Sequence, residues 1–219
     1  MRLTPKLGEE LVAALIFAVF MFVIYAMIPA AQANDQFPGA TKMVPRAALK
    51  YRGDLIRSAR LAFGLDAPVA AMAAQVHQES AWRPDARSPY AHGLAQFTPA
   101  TAEWIGGMDA ALAGADTGNP VWALRALAVY DRWLYDRVKG TTDCDRWWGA
   151  LRAYNGGLGH WLKEARLAAP SLDRGAIDAQ CGRASRSHVH CAESLGYPQR
   201  ILIKHQPFYA HWGPGVSCL

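Results

Sequence analysis

Hydrophobic positions recur along most of this chain at the three- and four-residue spacing of helices. Residues 45–65 carry Ala48, Leu55, Ala59, Leu61 and Ala62 as an apolar face, with Gly64 as a stop. Residues 68–80 follow, opened by Asp66-Ala67-Pro68, and Val69, Met72, Ala73 and Val76 form one stripe. Thr98 as N-cap and Pro99 in the first turn begin a short helix through Trp104-Ile105 to Gly106-Gly107. A Gly- and Asp-rich connection over residues 109–119 leads to the longest helix after the N-terminal region, residues 120–138. Its buried side is marked by Val121, Leu124, Leu127, Ala128, Trp133, Leu134 and Val138, and Gly140 closes it. That helix is the expected centre of the core. Residues 147–154 and 158–169 add two more helices, and residues 198–212 close the domain. The stretch 170–196 is short, polar and cysteine-bearing and receives no firm assignment. No Asn-Gly or Asp-Gly hairpin is flanked by alternating β-branched residues, because Asn155-Gly156 sits between helical segments. The expected fold class is mostly α.

The N-terminus has a different pattern. Arg2, Lys6, Glu9 and Glu10 precede an uncharged run that starts at Leu11 and covers residues 11–33. About 20 apolar residues suffice to span a bilayer. The run has no polar face, which argues against a buried core helix. Ala31-Gln32-Ala33 has the small-x-small form of a cleavage site. A cleaved secretory signal and an uncleaved signal anchor both fit, and both export the rest of the chain. The expected organisation is therefore 1–33 signal or anchor, 34–44 linker and 45–219 a single domain.

Apolar residues make up 52% of the 219, ample for a core, and the formal net charge is +5. The four charges of residues 1–33 cancel, so the excess belongs to the exported part. A basic exported domain favours a polyanionic partner. Lys and Arg are dispersed without a basic run, which speaks against nucleic acid. The four cysteines, Cys144, Cys181, Cys191 and Cys218, lie in the C-terminal third. Export suggests disulfides, and four cysteines allow three pairings. Proximity favours Cys181 with Cys191, leaving Cys144 and Cys218. A metal site with His188 or His190 is the alternative, but the spacing matches no zinc pattern, and none is expected.

Glu79 lies seven residues after Met72, on or beside the apolar stripe of its helix. Desolvation raises a carboxyl pKa, and an acid still protonated near neutrality can donate to a leaving oxygen. Its surroundings are specific. Glu79-Ser80-Ala81-Trp82-Arg83-Pro84, then Ser88-Pro89 and Gly93-Leu94-Ala95-Gln96, are followed by Ala153-Tyr154-Asn155-Gly156-Gly157 and Tyr197-Pro198-Gln199-Arg200-Ile201. These four stretches, in this order, resemble the motifs of lytic transglycosylases of the soluble-lytic-transglycosylase (SLT) type, over roughly residues 68–203.

The resemblance implies a lysozyme-like, goose-type helical domain with a substrate cleft. It implies cleavage of the peptidoglycan glycan strand between N-acetylmuramic acid and N-acetylglucosamine. Glu79 takes the role of the single acid, later base, while the muramyl 6-hydroxyl closes a 1,6-anhydro ring. Ser80, Gln96, Tyr154 and Asn155 take the places of substrate-binding residues, Ser80 either bonding to the acid or capping the helix end, and Tyr197 takes that of a tyrosine whose hydroxyl orients the acid. Tyr90 and Phe97 flank the second motif and are cleft candidates, since sugar faces stack on aromatic rings. At least one of Trp147 and Trp148 belongs in the core. No cofactor is implied, and a monomer working on glycan strands is expected. The setting is the periplasm or the periplasmic face of the inner membrane, with phage or prophage lysis, as an endolysin, one possibility beside wall remodelling.

The chain departs from the family pattern at Ser88-Pro89-Tyr90-Ala91-His92-Gly93-Leu94-Ala95-Gln96, which is one residue shorter than usual, lacks the first glycine and has Ala95 for methionine. Two other readings remain open. A second carboxylate, with Asp85, Glu103 and Asp109 as candidates, would make the protein a muramidase using water. A module that only binds glycan is the non-enzymatic alternative.

Overall fold

The computed structural model describes residues 44–218. Its elements are α1 (Arg46–Phe63), α2 (Val69–Ser80), α3 (Pro99–Gly106), a 3-10 turn (Ala110–Leu112), α4 (Pro120–Arg137), α5 (Asp143–Gly156), α6 (Leu158–Ala168), α7 (Arg174–Asp178), a second 3-10 turn (His188–His190) and α8 (Cys191–Pro198). A π-helical stretch (Gln199–His205) and a 3-10 stretch (Gln206–Trp212) follow. Among the described residues no strand forms, and only isolated bridges join Arg87 to His92 and His92 to Phe97.

Every position of α2 from Val69 to Val76 is buried. The sequence reads as one stripe because the alanines on the other faces look neutral. Ala70, Ala71 and Ala74 are buried too, and their small side chains let neighbouring backbones close around the helix. It packs against α1 on one side and the C-terminal stretches on the other, and the Ala70 N–H donates to Pro214 O at 2.8 Å.

The helix starts follow from local chemistry. The Thr98 side chain accepts from the Thr101 N–H. Asn119 accepts from Val121 N–H and Trp122 N–H ahead of α4, with Pro120 in the first turn. Thr142 and Asp145 form a reciprocal capping box on α5. The expected buried side of α4 is found at Leu124, Leu127, Ala128, Leu134 and Val138. Val121 is 54% exposed at the helix end, and Leu61 is 72% exposed. At 100° per residue Leu61 stands about 200° round the helix from Ala59, on the far face.

Stretch 170–196 resolves into α7, a 3-10 turn and the start of α8. Disulfides join Cys181 to Cys191 and Cys144 to Cys218. A buried ion cluster fixes this region to α5: Arg152 pairs with Glu164 at 2.6 Å and with Asp178 at 2.8 Å, and Arg186 pairs with Glu164 at 2.9 Å. Such a cluster specifies an arrangement more than it adds stability, because desolvation offsets the attraction.

Among the described residues no helix is long and apolar enough to cross a membrane. The apolar run over residues 11–33, the signal or anchor reading and the linker up to residue 43 lie outside the described residues.

After α2 the backbone turns sharply: Ala81 and Trp82 both have positive φ, 49° and 64°. A tryptophan there is strained, and its burial compensates. Trp82 is fully buried, and its indole N–H donates to Tyr209 Oη at 2.7 Å. Trp82→Ala is expected to lower unfolding free energy by about 3–5 kcal/mol, measured by denaturant titration.

Candidate active site

The last turn of α2 delivers Glu79 to a pocket of about 160 Å³. Gln96, Phe97, Thr98, Thr101, Tyr130, Tyr154 and Asn155 line it with Glu79. Glu79 keeps part of its surface on this pocket, yet its carboxyl is crowded by protein atoms on most sides. Burial is the largest influence and pushes its pKa from 4.5 up to about 7. The hydrogen bond from Tyr197 opposes that shift, Glu193 adds to it, and Arg200 opposes it.

Tyr197 is buried on α8, and its hydroxyl donates to Glu79 Oε1. Burial raises its own pKa well above the ordinary phenol value, with Glu79 adding to the shift. It therefore stays a donor throughout the working pH range. Tyr154 rises for the same first reason. Its hydroxyl donates to Ala95 O at 2.7 Å, so this tyrosine braces the second motif. Gln96, at φ 50°, spends its amide N–H groups on Gly93 O at 2.8 Å and Ala86 O at 3.1 Å. Its amide oxygen is thus the atom left to face a ligand. Gly93 is required here. Its φ is 80°, and a Cβ would collide with the Thr117 carbonyl. Asn155 is exposed at the pocket rim, and Gly157, at φ 89°, turns the chain behind it.

Ser80 and Tyr90 do not line the Glu79 pocket. Ser80 is buried and its hydroxyl donates to Val76 O at 3.2 Å, so it braces the helix end and does not bond to Glu79. Tyr90 is 66% exposed and lines the neighbouring pocket of about 560 Å³ with Arg87 and His92. Phe97 is almost fully buried, yet it lines both pockets.

None of the three carboxylates considered as water-activating partners lines the Glu79 pocket. Asp85 and Glu103 are exposed. Asp109 accepts from Arg125 at 2.7 and 2.9 Å and from Ala111 N–H at 3.0 Å.

Sequence reasoning missed Asp131 and Tyr130. Asp131 is 1% exposed and accepts from Gln75 Nε2 at 3.1 Å. Burial pushes its carboxyl well above the usual range, the Gln75 bond opposes this, and the charge of Glu79 adds to it. Asp131 Oδ2 and Gln75 Oε1 have no hydrogen-bond partner among the described residues. A protonated carboxyl completes this arrangement, since its O–H can serve the second oxygen. The signal was present in sequence as two polar residues interrupting apolar stripes, Gln75 beside Val76 and Asp131 between Ala128 and Leu134.

Among the described residues no group of His, Cys, Asp and Glu gathers as a metal site. The arrangement offers one proton-bearing acid, a tyrosine that fixes it, and an amide and aromatic wall suited to a sugar.

Comparison with known proteins bears on this site. Residues 54–173 match the family model described as transglycosylase SLT domain. The chain is 42% identical over 99 residues to a membrane-bound lytic murein transglycosylase F from Maricaulis maris, covering 44% of this chain and 20% of that protein. It is 37% identical over 120 residues to the protein of that name from Pasteurella multocida, covering 54% and 20%. With that of Shewanella denitrificans the figures are 36% over 104 residues, 47% and 19%. The match thus spans about a fifth of each relative's length.

The pKa of Glu79 fixes two expected outcomes. Its folded value lies above its unfolded one, so the folded chain binds the proton more tightly between about pH 4.5 and 7. The stability of the native chain therefore falls across that window and levels off above it. Glu79→Gln is expected to melt higher than the native chain at pH 8 and close to it at pH 5, by thermal denaturation. Tyr197→Phe removes the bond that lowers the Glu79 pKa. The alkaline limb of any Glu79-dependent activity is expected to move to higher pH, and the rate to fall roughly tenfold to a hundredfold.

Proposed function

The chain belongs to the transglycosylase SLT domain family, and on that footing we propose that it is a peptidoglycan lytic transglycosylase with Glu79 as its acid and base. The observation that carries this reading is the single, largely desolvated carboxyl facing the pocket, engaged by Tyr197 and with its pKa raised to about 7. A protonated Glu79 donates to the glycosidic oxygen between N-acetylmuramic acid and N-acetylglucosamine as the C1–O bond breaks. The carboxylate left behind takes the proton of the muramyl 6-hydroxyl, whose oxygen bonds to C1 and closes the 1,6-anhydro ring. Tyr197 steadies the carboxylate between the two steps. The Gln96 amide oxygen, Asn155 and the Phe97 and Tyr154 rings hold the sugar.

Glu79 is the one carboxylate among the described residues lining this pocket, which favours internal attack by the 6-hydroxyl over attack by an activated water. The helical elements around the pocket suit a lysozyme-like domain within residues 45–219. The two disulfides support export. The relatives' names describe membrane-bound murein enzymes, in keeping with an anchor over residues 11–33 and a periplasmic working face. The phage-lysis setting has no comparable support.

The test is mass spectrometry of sugars released from purified peptidoglycan by the full-length chain. Products ending in 1,6-anhydromuramic acid, one water lighter than reducing-end products, are expected, and Glu79→Gln is expected to release none. Reducing-end products would make the protein a hydrolase, and unchanged lysis by Glu79→Gln would remove Glu79 from the reaction.

A further inference from the structure

Five of the described tryptophans, Trp82, Trp122, Trp147, Trp161 and Trp212, are buried, as large apolar rings in a core should be. Trp104 is different: it is 45% exposed. It does not stand alone. Its ring centroid lies 4.7 Å from that of Trp133 and 5.8 Å from that of Tyr130, perpendicular to both. Tyr130 and Trp133 lie nearly parallel at 6.0 Å.

The placement of this cluster follows from helix geometry. Thr101 on α3 and Tyr130 on α4 both line the Glu79 pocket. Three positions further along each helix stands a tryptophan, Trp104 and Trp133. Residues three apart share a helix face, so both helices continue the pocket wall outward as indole. The wall is unbroken, since Tyr130 also meets Tyr154 at 5.3 Å and Phe97 at 6.0 Å. The Arg137 guanidinium lies 4.0 Å over the Trp133 ring and donates to the Trp133 carbonyl at 3.0 Å. It steadies that ring and leaves cationic donors at the rim.

We propose that Trp104, Tyr130 and Trp133 form a stacking subsite that extends the Glu79 pocket and takes a further N-acetylhexosamine unit of a β-1,4-linked strand, beyond those at the bond that is cut. The occupant is a sugar and not a protein because the cluster continues a pocket of polar and aromatic residues, and because a pyranose combines an apolar ring face with a hydroxyl rim. Thr101 and Tyr130 line the Glu79 pocket and not the larger neighbouring pocket that holds Tyr90 and His92. This inference rests on the glycan-strand reading of the Glu79 site but not on the outcome of its chemistry.

The test is binding by the full-length Glu79→Gln chain, which cannot turn substrate over, followed by titration calorimetry. The probes are peptide-free glycan strands purified from peptidoglycan and the single muramyl disaccharide. Adding Trp104→Ala is expected to weaken strand binding about tenfold, the scale of one aromatic stacking contact, and to leave disaccharide binding as it was. Trp104→Tyr is expected to recover most of the loss. Leu61→Ala, another exposed apolar side chain placed on α1, is expected to change nothing. Trp104 is exposed, so its removal spares the core.

Full strand affinity in the Trp104→Ala chain would overturn the subsite and leave the patch to another occupant. An equal loss in Leu61→Ala would reduce the effect to unspecific adsorption, and failure of the Glu79→Gln chain to bind strands at all would also overturn it. Trp104-dependent binding by a chain whose native form cuts nothing would keep the subsite and sink the transglycosylase reading alone.

Discussion

A carboxyl group held away from water resists ionisation, and the Glu79–Tyr197 contact exists inside that constraint. Burial alone would drive the Glu79 pKa higher; the Tyr197 hydroxyl draws it back, and the balance falls at about 7. An acid at that value gives up its proton and takes one back with comparable ease. One group can then serve both halves of a cleavage that needs an acid first and a base second. The surrounding structure sustains the balance. The alanines of α2 let the C-terminal stretches close over it, and α8, anchored by the Cys181–Cys191 disulfide and by Ser194 against Arg152, presents Tyr197 from the other side.

Asp131 shows how finely the electrostatics are divided. Two carboxyls near one site cannot both ionise cheaply. The one on the pocket ionises near neutrality; the one sealed behind it pairs with Gln75 and is pushed well above the usual range. Burial of Asp131 thus favours its neutral form, while the acid on the pocket answers first to its own burial and then to Tyr197.

Much of this was legible in the sequence because helices announce themselves locally. The Thr98 cap, the Pro120 start and the buried side of α4 follow from spacing and capping chemistry. Motif order brought Tyr197 to Glu79 across 118 residues, which no periodicity could do. What escaped depends on packing between elements. Leu61 and Val121 look like core but face outward. Gln75 and Asp131 acquire a role only where two helices meet. Tyr130 joins the Glu79 pocket to the exposed Trp104, which no spacing along one helix reveals. The shortened loop before Gly93 also became intelligible only in three dimensions, where Gly93 and Gln96 take positive φ and the Gln96 amide ties the loop to itself.

The central claim is that Glu79 still carries its proton near neutral pH. Carbon-13 NMR of chains labelled at the glutamate side-chain carboxyl, with Glu79→Gln identifying the signal, measures this directly. A titration midpoint of about 7 is expected, and a midpoint at the ordinary glutamate value of 4.5 would contradict a burial-raised acid at this site.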